Sequence, residues 1–267
     1  MNEELLRRLV RVLFTEDIQD TSIIPWASPV LSFGDIKRSK VATVGLNPSN
    51  LEFIDKYGSE INGPLRRFHT LKSLGISSWN DVEKNDLSKI LDSYSKYFQN
   101  NPYDGWFKKL DYLISGGSSS FYFPNMGACH LDLVPFATSK KWSELSLEIK
   151  NKLLSLSGNS LGLLIRNSPI QYLLLNGKTV VDTFQRAAQV DLTETPMPEW
   201  ALPRKSGEHV MGYAYEGIVD ELFDVQFGRS VKVLGFNHNI QSSFGVTNEV
   251  QYSIRQWVCN SFEKQYV

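Results

Sequence analysis

The chain reads as an α/β protein, a three-layer α/β/α sandwich around a mainly parallel sheet, and three observations predict this. Four short apolar runs, Lys40 to Val44, His130 to Val134, Gln171 to Leu175 and Val231 to Gly235, are each closed by a turn or a polar cluster. Such near-continuous runs are typical of strands buried on both faces. Between them the apolar residues recur at helical spacing. The separations are also long, as parallel neighbours require, because each must be joined by a crossover.

Taken in order, residues 3–14 interleave Leu5, Leu6, Leu9, Val10, Val12 and Leu13 with charged positions, a helix that ends near Phe14. The first strand runs directly into Gly45-Leu46-Asn47-Pro48-Ser49. An Asn-Pro step there ends the strand and starts a turn. Helical patterns follow at Leu87 to Phe98 and Trp106 to Ile114, and Gly116 to Ser120 reads as a surface loop. The second strand precedes a helical pattern over Trp142 to Leu156, and the third precedes one over Val180 to Ala188. The Pro-rich stretch from Glu194 through Gly207 reads as an exposed excursion, and a weaker helical pattern covers Ile218 to Phe223. The last strand ends at Asn237-His238-Asn239. No internal repeat or interdomain linker interrupts this rhythm, so residues 1–267 are expected to form a single domain.

Composition narrows the function classes. With 42% hydrophobic and 21% charged residues in 267, the chain has ordinary globular composition. No apolar run approaches a membrane span, and the N-terminus lacks a signal peptide's apolar core, so a cytoplasmic protein with no membrane partner is expected. Cys129 and Cys259 cannot supply a four-thiolate site and lie in no CxxC pair. Buried free thiols and no metal are the expectation. A net charge of −1 excludes the overall basic footprint of a tight nonspecific nucleic-acid binder. Any such contact must come from local pairs such as Arg66-Arg67, Lys140-Lys141 and Arg204-Lys205.

Polar residues gather at the strand ends: Asn47 after the first, Asp132 within the second, and Asn237-His238-Asn239 after the last. In a parallel sheet these ends share one side of the molecule, where ligands of open α/β sheets bind. A carboxamide, a carboxylate and an imidazole suit hydrogen-bond recognition and positioning of water. They are poor equipment for redox chemistry, and no cofactor is implied.

The ordered motifs Gly45-Leu46-Asn47-Pro48-Ser49, Cys129-His130-Leu131-Asp132-Leu133-Val134-Pro135-Phe136, Leu173-Leu174-Leu175-Asn176-Gly177 and Asn237-His238-Asn239-Ile240-Gln241-Ser242 resemble those of the uracil-DNA glycosylase superfamily. Residues 56–128 and 187–230 carry no matching motif. The resemblance implies that family's fold, in which the first motif positions the attacking water, a middle strand reads the flipped base, and a late His-Pro-Ser-like loop stabilises the leaving base and wedges into the duplex.

Residue by residue, Asn47 aligns with the water-positioning residue, an Asp in efficient uracil enzymes and an Asn in the branch resembling mismatch-specific and thymine-DNA glycosylases. An amide orients water but cannot take its proton. Gly45, Leu46 and Pro48 would complete that wall. Ser49 aligns with the tyrosine that blocks the pyrimidine 5-position in strict uracil enzymes; either the wall is open here, or Phe53 or Phe68 closes it. Asp132 aligns with the base-reading asparagine. Ionised, it accepts only, matching the amino group of cytosine and opposing uracil O4; alternatively it pairs with Lys140, Lys141 or Arg66.

In the last motif either Asn237 or His238 donates to the leaving base, with Gln241 or Ile240 as wedge and Asn239 and Ser242 completing the loop. Phe53, Phe68, Tyr122 and Phe136 include a stacking partner for the base, and Arg66, Lys140 and Lys141 would hold phosphates. The resemblance thus implies a monomeric, monofunctional glycosylase acting on DNA without a cofactor. Open Ser49 and acidic Asp132 favour a 5-modified cytosine such as glucosylated hydroxymethylcytosine of phage DNA, an antiviral role. A mismatch uracil or thymine glycosylase of DNA repair, and a noncatalytic nucleic-acid-binding module, are the rivals.

Overall fold

The apolar runs become four adjacent strands of one six-stranded sheet. A computed structural model describes residues 2–99, 104–203, 207, 209–241 and 245–263. In chain order it contains α1 (Asn2–Val12), β1 (Val41–Gly45), α2 (Leu71–Leu74), α3 (Lys84–Ser95), α4 (Asp104–Ser115), β2 (Ala128–Asp132), α5 (Leu147–Ser157), α6 (Ser160–Arg166), β3 (Tyr172–Asn176), α7 (Lys178–Ala188), β4 (Thr193–Pro203), β5 (His209–Leu222), β6 (Val225–Phe236) and α8 (Asn248–Glu263). The strand order is β2-β1-β3-β6-β5-β4. The first four strands run parallel, and β5 and β4 add an antiparallel flank.

Register sets what the sheet can present. Thr43 lies beside His130 and Gly45 beside Asp132, while Asn176 lies beside Phe236, so the parallel strands finish level with one another. Side chains alternate across a strand. One face of the sheet meets α4 and α8: Phe107 packs edge-on to His130 at 5.4 Å, and Tyr172 lies 4.4 Å from Phe262. The other face meets α7 and α6. A Cβ on Gly235 would come within 3.0 Å of Val181, and one on Gly162 within 3.1 Å of both Val225 side-chain carbons that it faces. Helices therefore cover both faces of a mixed α/β sheet.

Beneath the strand ends lies an aromatic cluster. Phe33 meets Tyr97 edge-on at 4.8 Å and Phe68 at 5.3 Å, and Phe68 stacks on Tyr97 at 5.3 Å. Each such pair contributes about 0.5–1.5 kcal/mol beyond its burial, so this corner forms a stiff floor.

Two sequence expectations are corrected. Ile218 to Phe223 is not helical but closes β5, joined to β6 by Phe223 and Asp224, both at positive φ (54° and 59°). That is the backbone of a tight two-residue hairpin, and the short apolar run had fitted either period. The Pro-rich stretch from Glu194 lies largely within β4, an exposed edge strand. Prolines are admissible there because an edge strand leaves half its N–H groups unpaired. The second strand also begins earlier than expected, at Ala128, and α6 and α8 had no clear signal. Cys129 and Cys259 are both buried. Among the described residues no helix is long and apolar enough to cross a membrane.

Candidate active site

A cavity of about 380 Å³ opens at the carboxyl ends of β1, β2 and β3, within the range of small-ligand sites. Larger hollows of about 650 Å³ against α1 and α3 and about 1050 Å³ beyond the end of α7 lie away from these strand ends. The smaller cavity is the one into which buried polar groups converge.

Its floor is a chain of side chains on one face of β1 and β2. Thr43 Oγ1 and His130 Nδ1 are 2.7 Å apart, and His130 Nε2 lies 3.5 Å from Asp132 Oδ1. All three residues are buried. Gly45 makes this possible: a Cβ there would sit 2.4 Å from Asp132 Oδ1 and 2.8 Å from His130 Nε2. Trp106 meets the imidazole edge-on at 5.5 Å and, with Trp142, gives the cavity aromatic walls.

The first motif forms the adjoining wall. Asn47 donates from Nδ2 to Thr138 Oγ1 at 2.9 Å and to the Pro48 carbonyl at 3.1 Å. This fixes the amide plane, and among the described residues its Oδ1 takes no hydrogen bond. Ser49 is exposed on the rim and caps a turn by accepting from the Leu51 N–H at 3.2 Å. Phe53 and Phe68 are each 1% exposed and do not line the cavity, so neither fills the space beside Ser49. Beyond Ser49 a second hollow of about 300 Å³ is bordered by Asn47, Thr138, Lys140 and Lys141.

The turn that Ser49 caps carries a group sequence reasoning missed. Glu52 is 3% exposed and lines the cavity. Tyr97 Oη donates to Oε1 at 2.9 Å, and Arg67 Nη1 lies 3.4 Å from Oε2. Burial nevertheless pushes its pKa up to about 7, with a smaller push from the charge of Asp132; the opposing pull of Arg67 and Tyr97 is too weak to cancel the desolvation. The available signal was a carboxylate in the apolar run Leu51-Glu52-Phe53-Ile54, just past the turn.

At the far side the last motif divides. Asn239 and Gln241 reach the cavity. Asn176 pins them: its Nδ2 donates to Gln241 Oε1 and contacts Asn239 Oδ1 at 3.4 Å, and its Oδ1 accepts from the Ile240 N–H at 3.3 Å. Gly177, at φ 97°, lets the loop approach, since its Cβ position is 3.3 Å from that of Asn239. Asn176 and His130 stood inside the motifs, yet no role had been assigned to either.

Asn237 and His238, the two expected leaving-group donors, turn elsewhere. Asn237 accepts from the Tyr213 N–H and donates to the Met211 carbonyl, both at 2.8 Å. His238 is buried with Nε2 2.7 Å from the Trp200 carbonyl, and burial lowers its pKa. Neither lines the cavity. Ile240 is 1% exposed, which is wrong for a projecting wedge, and Phe136 is likewise core. Arg66 is half-buried and away from the cavity, whereas Lys140 and Lys141 are exposed beside Ser49. Ser242, Arg204 and Lys205 lie outside the described residues.

No family model matches the chain, and no curated protein matches it significantly. The chemistry must therefore be read from the site. Two buried carboxyl groups, an imidazole, fixed amides and aromatic walls equip it to bind a flat polar ligand by its edge and to orient water beside it. Among the described residues no group of three or more His, Cys, Asp or Glu is placed to hold a metal ion.

Proposed function

We propose that this protein is a DNA glycosylase with the fold of the uracil-DNA glycosylase superfamily, which flips a pyrimidine out of DNA and hydrolyses its N-glycosidic bond. The observation that carries the reading is that Asn47 and Asp132, far apart in sequence, line one cavity at the ends of adjacent parallel strands. In this reading Asp132 accepts from the exocyclic amino group of a cytosine, His130 lies against the carboxylate in the room that Gly45 leaves, and Asn47 orients the water. Trp106 and Trp142 flank the extruded base, a role aromatic side chains fill without regard to sequence.

Ser49 supports a 5-modified cytosine as substrate. The second hollow shares Asn47, Pro48, Ser49 and Trp142 with the cavity and lies beyond this small residue, where hydroxyl, amide and ammonium groups could meet a hydroxylated substituent. Glucosylated hydroxymethylcytosine in phage DNA fits that description, and removing it would be an antiviral act by a monomeric cytoplasmic enzyme. The test is abasic-site formation by purified protein on DNAs carrying cytosine, hydroxymethylcytosine, glucosylated hydroxymethylcytosine or uracil. Excision of the glucosylated base is expected. Cutting of uracil DNA alone would replace this substrate with that of a mismatch repair enzyme.

One observation favours a second reading. Asn237 bonds the β5 backbone and His238 the Trp200 carbonyl of β4, so the leaving base lacks the donor that the last motif was expected to supply. A noncatalytic DNA-binding module would show DNA binding without abasic sites after long incubation.

A further inference from the structure

Asn47 leaves a gap in the chemistry proposed above. Hydrolysis of an N-glycosidic bond needs the water's proton to go somewhere, and a carboxamide has no basic site near neutral pH. Whatever accepts it must lie in the same cavity, be held in one orientation, and be ionisable in the working range. Glu52 lines the cavity with Asn47, on the turn that continues the same motif, and is nearly inaccessible from elsewhere.

We propose that Glu52 is the general base of this site: Asn47 orients the water, and the Glu52 carboxylate takes its proton. The assignment rests on the glycosylase reading. In the step, the water oxygen forms a bond to C1′ of the deoxyribose while the C1′–N1 bond breaks and its electron pair leaves with the base. One water proton passes to Glu52, and from there to the departing base or solvent, which restores the carboxylate.

The surroundings suit this role. Tyr97 and Arg67 fix both oxygens, so the carboxyl is oriented before substrate arrives. The titratable and charged groups facing it are Arg67 from the loop before α2, Tyr97 after α3, and Asp132 from β2. His130 shares the cavity. Desolvation outweighs the Arg67 attraction and brings the carboxyl's pKa to about 7, where a carboxylate is a far better proton acceptor than at its ordinary value. Asp132, committed to the base edge and to His130, is not free to do the same.

The experiment combines kinetics with titration. Single-turnover excision by the wild type should rise with pH to a plateau, with a midpoint near 7. E52Q should be slower by roughly 100-fold or more, the low end of what a positioned base contributes, and should lose that limb; E52D should restore part of the rate. A structural role would slow E52Q but leave the limb in place, which would overturn the proposal, as would an E52Q rate within about threefold of wild type. Independently of folding in any variant, a carboxyl-carbon NMR titration of wild-type Glu52 should show a midpoint near 7. A midpoint at the ordinary carboxylate value would overturn the assignment. Wild type that forms no abasic sites on any of the DNAs would bring down the glycosylase reading and this role with it, whereas active wild type with an unaffected E52Q brings down this role alone.

Discussion

At the carboxyl end of β1 Asn47 turns inward to a cavity, whereas at the carboxyl end of β6 Asn237 and His238 turn sideways to the antiparallel β5–β4 flank. The difference lies in the neighbours. β1 sits between β2 and β3, which are parallel to it and finish at the same level, so the Asn47 amide has no neighbouring strand to bond and donates instead to Thr138 and to the Pro48 carbonyl of its own turn. β6 has β5 on one side, and β5 is antiparallel: Phe236 pairs with Ala214, and the chain from Met211 to Tyr213 runs on beyond the end of β6. Asn237 meets that unfinished backbone and satisfies it. Asn47 therefore keeps its Oδ1 for the cavity, whereas Asn237 is taken up by the backbone that runs past the end of its strand.

The strongest way to break this comparison is to alter the inward end. Asp132→Asn keeps the size of the side chain but turns half of its acceptor capacity into donors. If Asp132 reads cytosine, excision of the modified cytosine should fall about 100-fold, the cost of leaving one polar edge mispaired in a closed site, and activity on uracil should rise. Single-turnover assays on paired substrates measure both. An unchanged ratio between the two bases would show that Asp132 serves His130 and not the ligand.

A second test reads the same end through stability, without substrate. Glu52 has a higher pKa folded than unfolded, so the native state keeps a proton that the unfolded chain has released. The stabilisation is complete below the ordinary carboxylate value of about 4.5 and is lost as pH rises through about 7. Denaturant melts of the wild type should therefore weaken between pH 5 and pH 8 by on the order of 2 kcal/mol more than those of Glu52→Gln, which has no such proton to lose. Parallel pH profiles for the two proteins would show that Glu52 is ionised throughout, held by Arg67.

The contrast between the two ends also explains what the sequence could and could not reveal. The four apolar runs located β1, β2, β3 and β6 because strands buried on both faces need no partner pattern to be recognised. Asp132 and Asn47 were found for the same reason, since their place in the site follows from strand ends alone. The β4–β5 hairpin was harder to see. Its outer strand is exposed and Pro-rich, and its inner strand near Ile218 has apolar spacing that fits a helix as well. Missing the hairpin concealed the backbone that captures Asn237 and His238. Glu52 was missed because its importance comes from burial by Tyr97 and Arg67, both distant in sequence.

The smallest expected effect tests the outward end. Asn237→Ala removes one acceptor and one donor to the β5 backbone, and leaves the Tyr213 N–H and the Met211 carbonyl without those partners. Each lost bond is worth about 0.5–1.5 kcal/mol, and the site is partly exposed, so water replaces part of both. A loss of roughly 1–2 kcal/mol in denaturant stability is expected. The excision rate should stay within about threefold of wild type, because Asn176 and not Asn237 holds the Asn239-Gln241 segment at the cavity. The pairing of the two readouts is what discriminates. A donor to the leaving base would show the reverse, a fold almost as stable as wild type and a rate reduced by the 10²–10³ typical of a deleted transition-state donor. That result would mean that Asn237 swings from β5 into the cavity when DNA binds.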